Sequence, residues 1–156
     1  MDSIASSQHP GKWFGSDEAF HSLYPLSIQH LAYKHWTPLR IARTAAGFLA
    51  PRKGVRILDI GSGIGKFCLA AAHYHPGAHF TGIEQRIQLV TLANEAKSKL
   101  RLNNVSFIHN NFTRINFREY DHFYFFNSFY ENLSGTSKID DSIEYSSELY
   151  NYYCRC

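Results

Sequence analysis

Residues Val55–Ala72 read VRILDIGSGIGKFCLAAA: a short apolar run with β-branched residues, an aspartate, and three glycines at alternate positions, followed by small apolar residues. Val55–Ile60 predicts a buried strand, and Lys66–His75 predicts the helix after it, stopped by Pro76-Gly77. Between them, Gly61, Gly63 and Gly65 permit a tight turn and leave the backbone bare to a close neighbour. In an open α/β sheet, ligands sit at such strand-to-helix turns. The reading of this turn therefore decides both the fold and the ligand.

The pattern on either side agrees with an α/β fold. Downstream, residues 79–84, 105–110 and 121–127 read as further strands and 86–102 as a long helix closed by Asn103-Asn104. Residues 137–153 read as a closing helix with Ile139, Ile143, Tyr150 and Tyr153 on one face. Upstream, Asp17–Ala50 is helical in two pieces, the first interrupted by Pro25. Thr37 is expected to cap the second piece, with Pro38 at its first position. Residues 1–16 are polar and expected to be loose. Strands alternating with helices imply βαβ units, a parallel sheet and right-handed crossovers. The 156 residues are enough for one buried core. The expected organisation is a helical extension over residues 1–50 and a core over 51–156.

The residues of the turn narrow the ligand. A phosphate-binding P-loop needs a glycine five positions before Gly65 and Ser or Thr after the lysine, but Ile60 and Phe67 stand there. The dinucleotide fingerprint needs its third glycine where Lys66 stands. Asp59, two residues before Gly61, would oppose a pyrophosphate and suit a cation. A phosphate-free nucleoside carrying an ammonium and a sulfonium fits better, and S-adenosylmethionine is such a ligand.

LDIGSGIG, Leu58–Gly65, resembles the first motif of the class I (Rossmann-like) S-adenosylmethionine-dependent methyltransferases, Asp/Glu-x-Gly-x-Gly-x-Gly. The resemblance implies a role for Asp59, Gly61, Ser62, Gly63 and Gly65 around the methionine part of the cofactor. It places Glu84, at the end of the second strand, on the two ribose hydroxyls. Asn111 stands where the family has an aspartate that accepts from the adenine amino group, and its carbonyl oxygen is expected to accept instead. Gln85 and Phe112, the next residues along, join the expected cofactor-binding set. Thr37 in HWTP (35–38) is similar to a threonine that helps bind the methionine carboxylate in amino-directed members, a role compatible with helix capping. FFNSFYENL (125–133) resembles the Asn/Asp-Pro-Pro-Tyr/Phe segment of those members, with Ser128 and Phe129 in place of the prolines. It implies that Asn127 positions the acceptor and Tyr130 walls the site. The expected activity is methyl transfer to an amino nitrogen of an unidentified acceptor.

Charge adds little. The formal net charge is +3, and 19% of residues are charged, a mild excess that gives no strong nucleic-acid signal. Three cysteines, Cys68, Cys154 and Cys156, are too few and too scattered for a disulfide framework and point to a reducing compartment. No signal peptide or bilayer-length apolar run is visible, so the expectation is a cytoplasmic protein without a membrane partner. His73, His75 and His79 cluster without a cysteine or carboxylate at ligand spacing, and no metal site is expected.

The family's sheet has seven strands, and only four are legible here. The fourth, DHFYFFN, would then be a bare apolar edge, which predicts self-pairing into a homodimer or cover from elsewhere. The shortened pattern leaves an alternative, a cofactor-binding remnant or interaction module with little turnover. A nicotinamide dehydrogenase is disfavoured by Lys66 and Asp59.

Overall fold

A computed structural model describes residues 10–156. Four strands, β1 (Arg56–Ile60), β2 (His79–Glu84), β3 (Val105–His109) and β4 (His122–Phe125), form one sheet in the order β3-β2-β1-β4. Every pairing is parallel, as the alternation of elements requires. After β1 the chain moves outward to β2 and β3, then returns across β1 to β4. The carboxyl ends of β1 and β4 therefore flank the point where the direction of winding reverses, the crevice in which ligands of such sheets bind.

Among the described residues, seven α-helices accompany the strands. Before β1 come α1 (Asp17–His21), α2 (Leu26–Gln29), α3 (Ala32–His35) and α4 (Leu39–Leu49). The longer α5 (Lys66–Tyr74) and α6 (Ile87–Leu100) link the first three strands, and α7 (Ser147–Tyr153) follows β4. The first helical region is thus more broken than its periodicity predicted. Pro25 and the short turns around it divide residues 17–36 into three single-turn pieces.

Alternation along the strands sorts the core into two layers. Ile57 of β1 and Phe80 of β2 face a cluster containing Phe20, Leu39, Phe67, Cys68 and Leu100, so the early helices share one apolar layer with α5 and α6. Leu58, Ile60 and Ile83 face the other way, against Phe112, Phe129 and Tyr153. Among the described residues, no long helix covers that second face. The link from β3 to β4 carries only two 3-10 turns, Phe112–Arg114 and Phe117–Glu119, and aromatic side chains do the covering.

Three local expectations need correction. Residues 10–16 are not loose: Pro10–Phe14 form a 3-10 turn, and the Phe14 ring stacks on His73 at 3.9 Å; residues 1–9 lie outside the described residues. Thr37 does not cap α4. Asp17 does so from far along the chain, its Oδ1 accepting from Leu39 N at 2.9 Å. The closing helix begins at 147 rather than 137. Ser146 is its N-cap, accepting from Leu149 N at 3.0 Å. Upstream, the Asp140 side chain bonds Ser142 N, a local turn that competes with helix. Residues 133–146 instead form an irregular strap.

Among the described residues no helix is long and apolar enough to cross a membrane. Nor does any group of three or more His, Cys, Asp or Glu among them come together as a metal-holding set.

Candidate cofactor site

The glycine turn hangs from β2. Gly61 N and Ser62 N both donate to Ile83 O, at 2.9 and 3.0 Å, and Gly65 N closes on Ser62 O at 2.8 Å. Gly63 N donates to Glu84 Oε2 at 3.1 Å, so the turn is tied directly to the carboxylate at the end of the neighbouring strand. Gly61 and Gly65 hold φ of 73° and 81°, the left-handed region that glycine enters without penalty. A Cβ at Gly61 would lie 2.8 Å from Ser128 Cβ, because the segment after β4 folds directly over the turn. Ser128 Oγ donates to Ile60 O. With these amides satisfied by the protein itself, the turn's contribution to a ligand is shape and bareness. Ser62 Oγ points back towards Gly82 and is the one buried side-chain polar atom among the described residues with no hydrogen-bond partner.

Asp59 and Thr37 flank the turn on the side of α3 and α4. Both are buried, and with Gly61, Ser62, Gly63, Lys66, Phe67, Tyr124 and Phe126 they line a small recess. Burial pushes the Asp59 carboxyl up to about 7, opposed by the Cys68 thiol, which donates to it at 3.5 Å, and reinforced by Glu84. Thr37 Oγ1 lies 3.3 Å from the Tyr124 hydroxyl, and the Tyr124 ring stacks on Phe67 at 3.6 Å. Lys66 crosses to the early helices, pairing with Asp17 and His21 Nε2 (2.8 Å). Burial pulls its ammonium below the ordinary lysine range, and Asp17 partly restores it.

On the other side of the turn lies the larger pocket. It is lined by Gly61 and Gly63 after β1, by Glu84 at the end of β2 with Gln85 and Arg86 beyond it, and by Phe126, Asn127, Ser128 and Phe129 after β4. Asn127 has φ of 54°, a strained position for a residue with a side chain and one that aims the segment back over the glycines. Tyr130 does not wall the pocket. It starts a 3-10 turn and is 44% exposed, while Phe126 and Phe129 supply the aromatic lining. Near β3, Asn110 and Phe112 line the pocket, whereas Asn111 serves its own backbone. Asn111 Oδ1 accepts from Thr113 N (3.0 Å) and Thr113 Oγ1 (2.9 Å), which takes both lone pairs expected for an adenine amino group. Its amide donates to Gln85 Oε1 at 3.2 Å and to the Tyr153 hydroxyl at 3.0 Å.

Sequence reading missed the central cation of this pocket. Arg86 is buried and surrounded by Glu84, Glu131 and Asp140. Burial pulls its pKa down, but Glu131, Glu84 and the bond to Asp140 outweigh that and raise it. A basic residue two positions after a strand-end acid was a visible signal; Glu131 and Asp140, some 45 and 54 positions away, were not. With Asp59 and Glu144 nearby, carboxylates outnumber guanidinium, and the field suits a cationic ligand better than a diphosphate.

The chemistry of the donor set fits an S-adenosyl nucleoside: a bare turn, a buried carboxylate beside it for an ammonium, and a second carboxylate one strand over for vicinal hydroxyls. Comparison with known proteins points the same way. A family model described as "Methyltransferase domain" matches residues 51–134. A tRNA (guanine-N(7)-)-methyltransferase from Nostoc sp. is 33% identical over 84 residues, covering 54% of this chain and 38% of that protein. One from Microcystis aeruginosa is 44% identical over 54 residues, covering 35% and 26%. The chain thus matches well under half the length of these relatives. Among solved structures, an RNA methyltransferase from Salinibacter ruber in complex with S-adenosyl-L-homocysteine superposes with a TM-score of 0.53 at 23% identity, covering 57% of this chain and 58% of that one, a likeness of fold.

Proposed function

The chain belongs to the methyltransferase-domain family, and from that premise we propose that it binds S-adenosylmethionine and transfers its methyl group to a nitrogen of an RNA base, with guanine N7 of tRNA the leading acceptor. The cofactor part rests above all on one observation, the bond from Gly63 N to Glu84 Oε2 that fixes the Glu84 carboxylate against the glycine-rich turn. The acceptor part rests on the names of the relatives with 33% and 44% identity. Net charge of +3 did not point to RNA by itself, because a base can be recognised by stacking and edge contacts while phosphates stay outside the pocket.

Bound here, the cofactor would supply a methyl on a positively charged sulfur, ready for in-line displacement. The residues of the chain would do the rest. Glu84 would accept from the ribose hydroxyls, Asp59 would face the ammonium across the turn, and Thr37 would stand beside the carboxylate. Asn127, held in its left-handed conformation at the mouth between Phe126 and Ser128, would orient the acceptor nitrogen. Phe126 and Phe129 would keep water from the reacting atoms. Orientation of this kind is worth up to about 7–11 kcal/mol of barrier. A cytoplasmic location is part of the same proposal.

Two measurements test this reading. Calorimetric titration with S-adenosylhomocysteine should give saturable binding, and Glu84→Gln should weaken it by about 1.5–3 kcal/mol, the range for a hydrogen bond to a charged group; an unchanged dissociation constant removes Glu84 from the ribose. Incubation with methyl-labelled cofactor and tRNA transcripts should place label in 7-methylguanosine on nucleoside analysis. Label found only in protein or small amines would overturn the RNA acceptor while leaving the cofactor intact.

A further inference from the structure

The pocket beside the glycine turn retains about 60 Å³ of free volume, whereas pockets that take drug-sized ligands start at roughly 300 Å³. The chain itself fills the difference. Residues 131–145 cross the open ends of β1 and β2, and Ile139, Ile143, Glu144 and Tyr145 form the roof. Its main fastening is Arg86. Glu131 grips Arg86 Nη2 with both oxygens at 3.1 and 3.0 Å, Asp140 Oδ1 accepts from Nε at 3.1 Å, and the Tyr145 hydroxyl also meets Nη2. Glu131 further accepts from Ile139 N, and the Tyr145 hydroxyl donates to Asp140 O, so the three holders brace one another.

Arg86 in turn lies against the carboxylate that the proposed cofactor needs. Its backbone N donates to Glu84 Oε1 at 3.0 Å, and its Nη1 lies 3.5 Å from the same oxygen. Glu84 Oε2 is taken by Gly63 N. A nucleoside that places its sugar on Glu84 enters the volume now held by Arg86 and its roof. A ligand that prefers one of two chain arrangements shifts the balance by its difference in affinity, and the converse holds for a contact that prefers the other.

We propose that residues 131–145 are a latch on the cofactor pocket, closed by Glu131, Asp140 and Tyr145 on Arg86, and that nucleoside entry requires its release. The proposal rests on the assignment of this pocket to an S-adenosyl nucleoside. The latch is also tied to the early helices, since Lys34 Nζ donates to Ser137 Oγ at 2.6 Å. An acceptor arriving on that side has a route to the same segment.

Asp140 and Tyr145 are the informative positions. The Asp140 side chain is 43% exposed, and its loss leaves Arg86 paired with Glu131 and Glu84, so the buried cation is not stranded. Asp140→Asn and Tyr145→Phe, each checked for native thermal unfolding, are titrated with S-adenosylhomocysteine beside the wild type. The expected result is three- to tenfold tighter binding in each variant. Hydrogen exchange at the Ile139 amide, held by Glu131, should quicken when the nucleoside is added to the wild type, the reverse of ordinary ligand protection. Unchanged or weaker binding in both variants, or slower exchange at Ile139, would show the segment to be a wall of the pocket and overturn the latch. Binding absent from wild type and variants alike would overturn the cofactor assignment, and the latch with it.

Discussion

A buried carboxyl with a pKa near neutrality makes Asp59 a reporter of its own surroundings. Burial raises it to about 7, so between pH 4 and 7 the folded chain holds a proton there that the unfolded chain has released. Stability therefore falls as pH rises through that window and levels off above it; the penalty is on the order of 4 kcal/mol by the usual 1.36 kcal/mol per pKa unit. Urea unfolding at several pH values should show wild-type stability declining from pH 4 to 7 relative to Asp59→Asn. Parallel curves would mean the carboxyl titrates normally. Binding has the opposite slope. An ammonium that pairs with Asp59 needs it ionised, so nucleoside affinity should rise with pH up to about 7 and then flatten, with the slope absent from Asp59→Asn. Asp59 itself was legible in the sequence because it belongs to a motif of fixed spacing. Arg86 was not, because its meaning depends on partners that only the folded chain supplies.

Among the elements, the junction of β1 and α5 leaves no room for a side chain at Gly65. Gly65, the N-cap of α5, holds φ of 81°, and a Cβ there would enter the Phe107 ring from β3 and lie 3.1 Å from Ala93 of α6. Gly65→Ala should cost roughly 1–2 kcal/mol for the left-handed backbone and roughly 1–3 kcal/mol for overpacking. Chemical denaturation measures the sum directly, and a loss under 1 kcal/mol would mean that Phe107 has room to withdraw. The long elements were legible from periodicity and punctuation: β1, α5, β2 and α6 each carry a run long enough to average over local conflict. β3 and β4 were legible as apolar runs between turn residues, whereas the single-turn helices before α4 and the irregular strap were not. Asp17 caps helix α4 by accepting from Leu39 N, and Glu131 and Asp140 hold the strap to Arg86. These partners are distant in sequence and invisible to any local window.

At the scale of the whole molecule, the sheet ends in an exposed edge. β4 pairs with β1 on one side, no strand pairs with its other side among the described residues, and Phe123 and Phe125 remain 43% and 51% exposed. Beside them, Phe117, Phe129, Tyr153, Cys154 and Cys156 line an open apolar groove. Such an edge is a template for pairing, and we propose that a second copy covers it. The wild type should show concentration-dependent association at micromolar levels by light scattering after gel filtration, and Phe125→Lys should shift it to the monomer. Identical profiles would remove this edge from the interface.

By itself, the sequence determined the α/β class, the four parallel strands, the position of the glycine turn and the acid one strand over. Each of these follows from hydrophobic period, turn chemistry or motif spacing, all of which are local. Only the tertiary structure decided that the pocket is roofed by its own chain, that Asn111 spends its acceptor on Thr113, and that Tyr130 faces out while Phe126 and Phe129 face in. The physical reason is common to all three. A side chain's direction and partners are settled by competition among groups far apart in sequence for the same buried volume and the same few lone pairs, and that competition exists only once the sheet has brought them together.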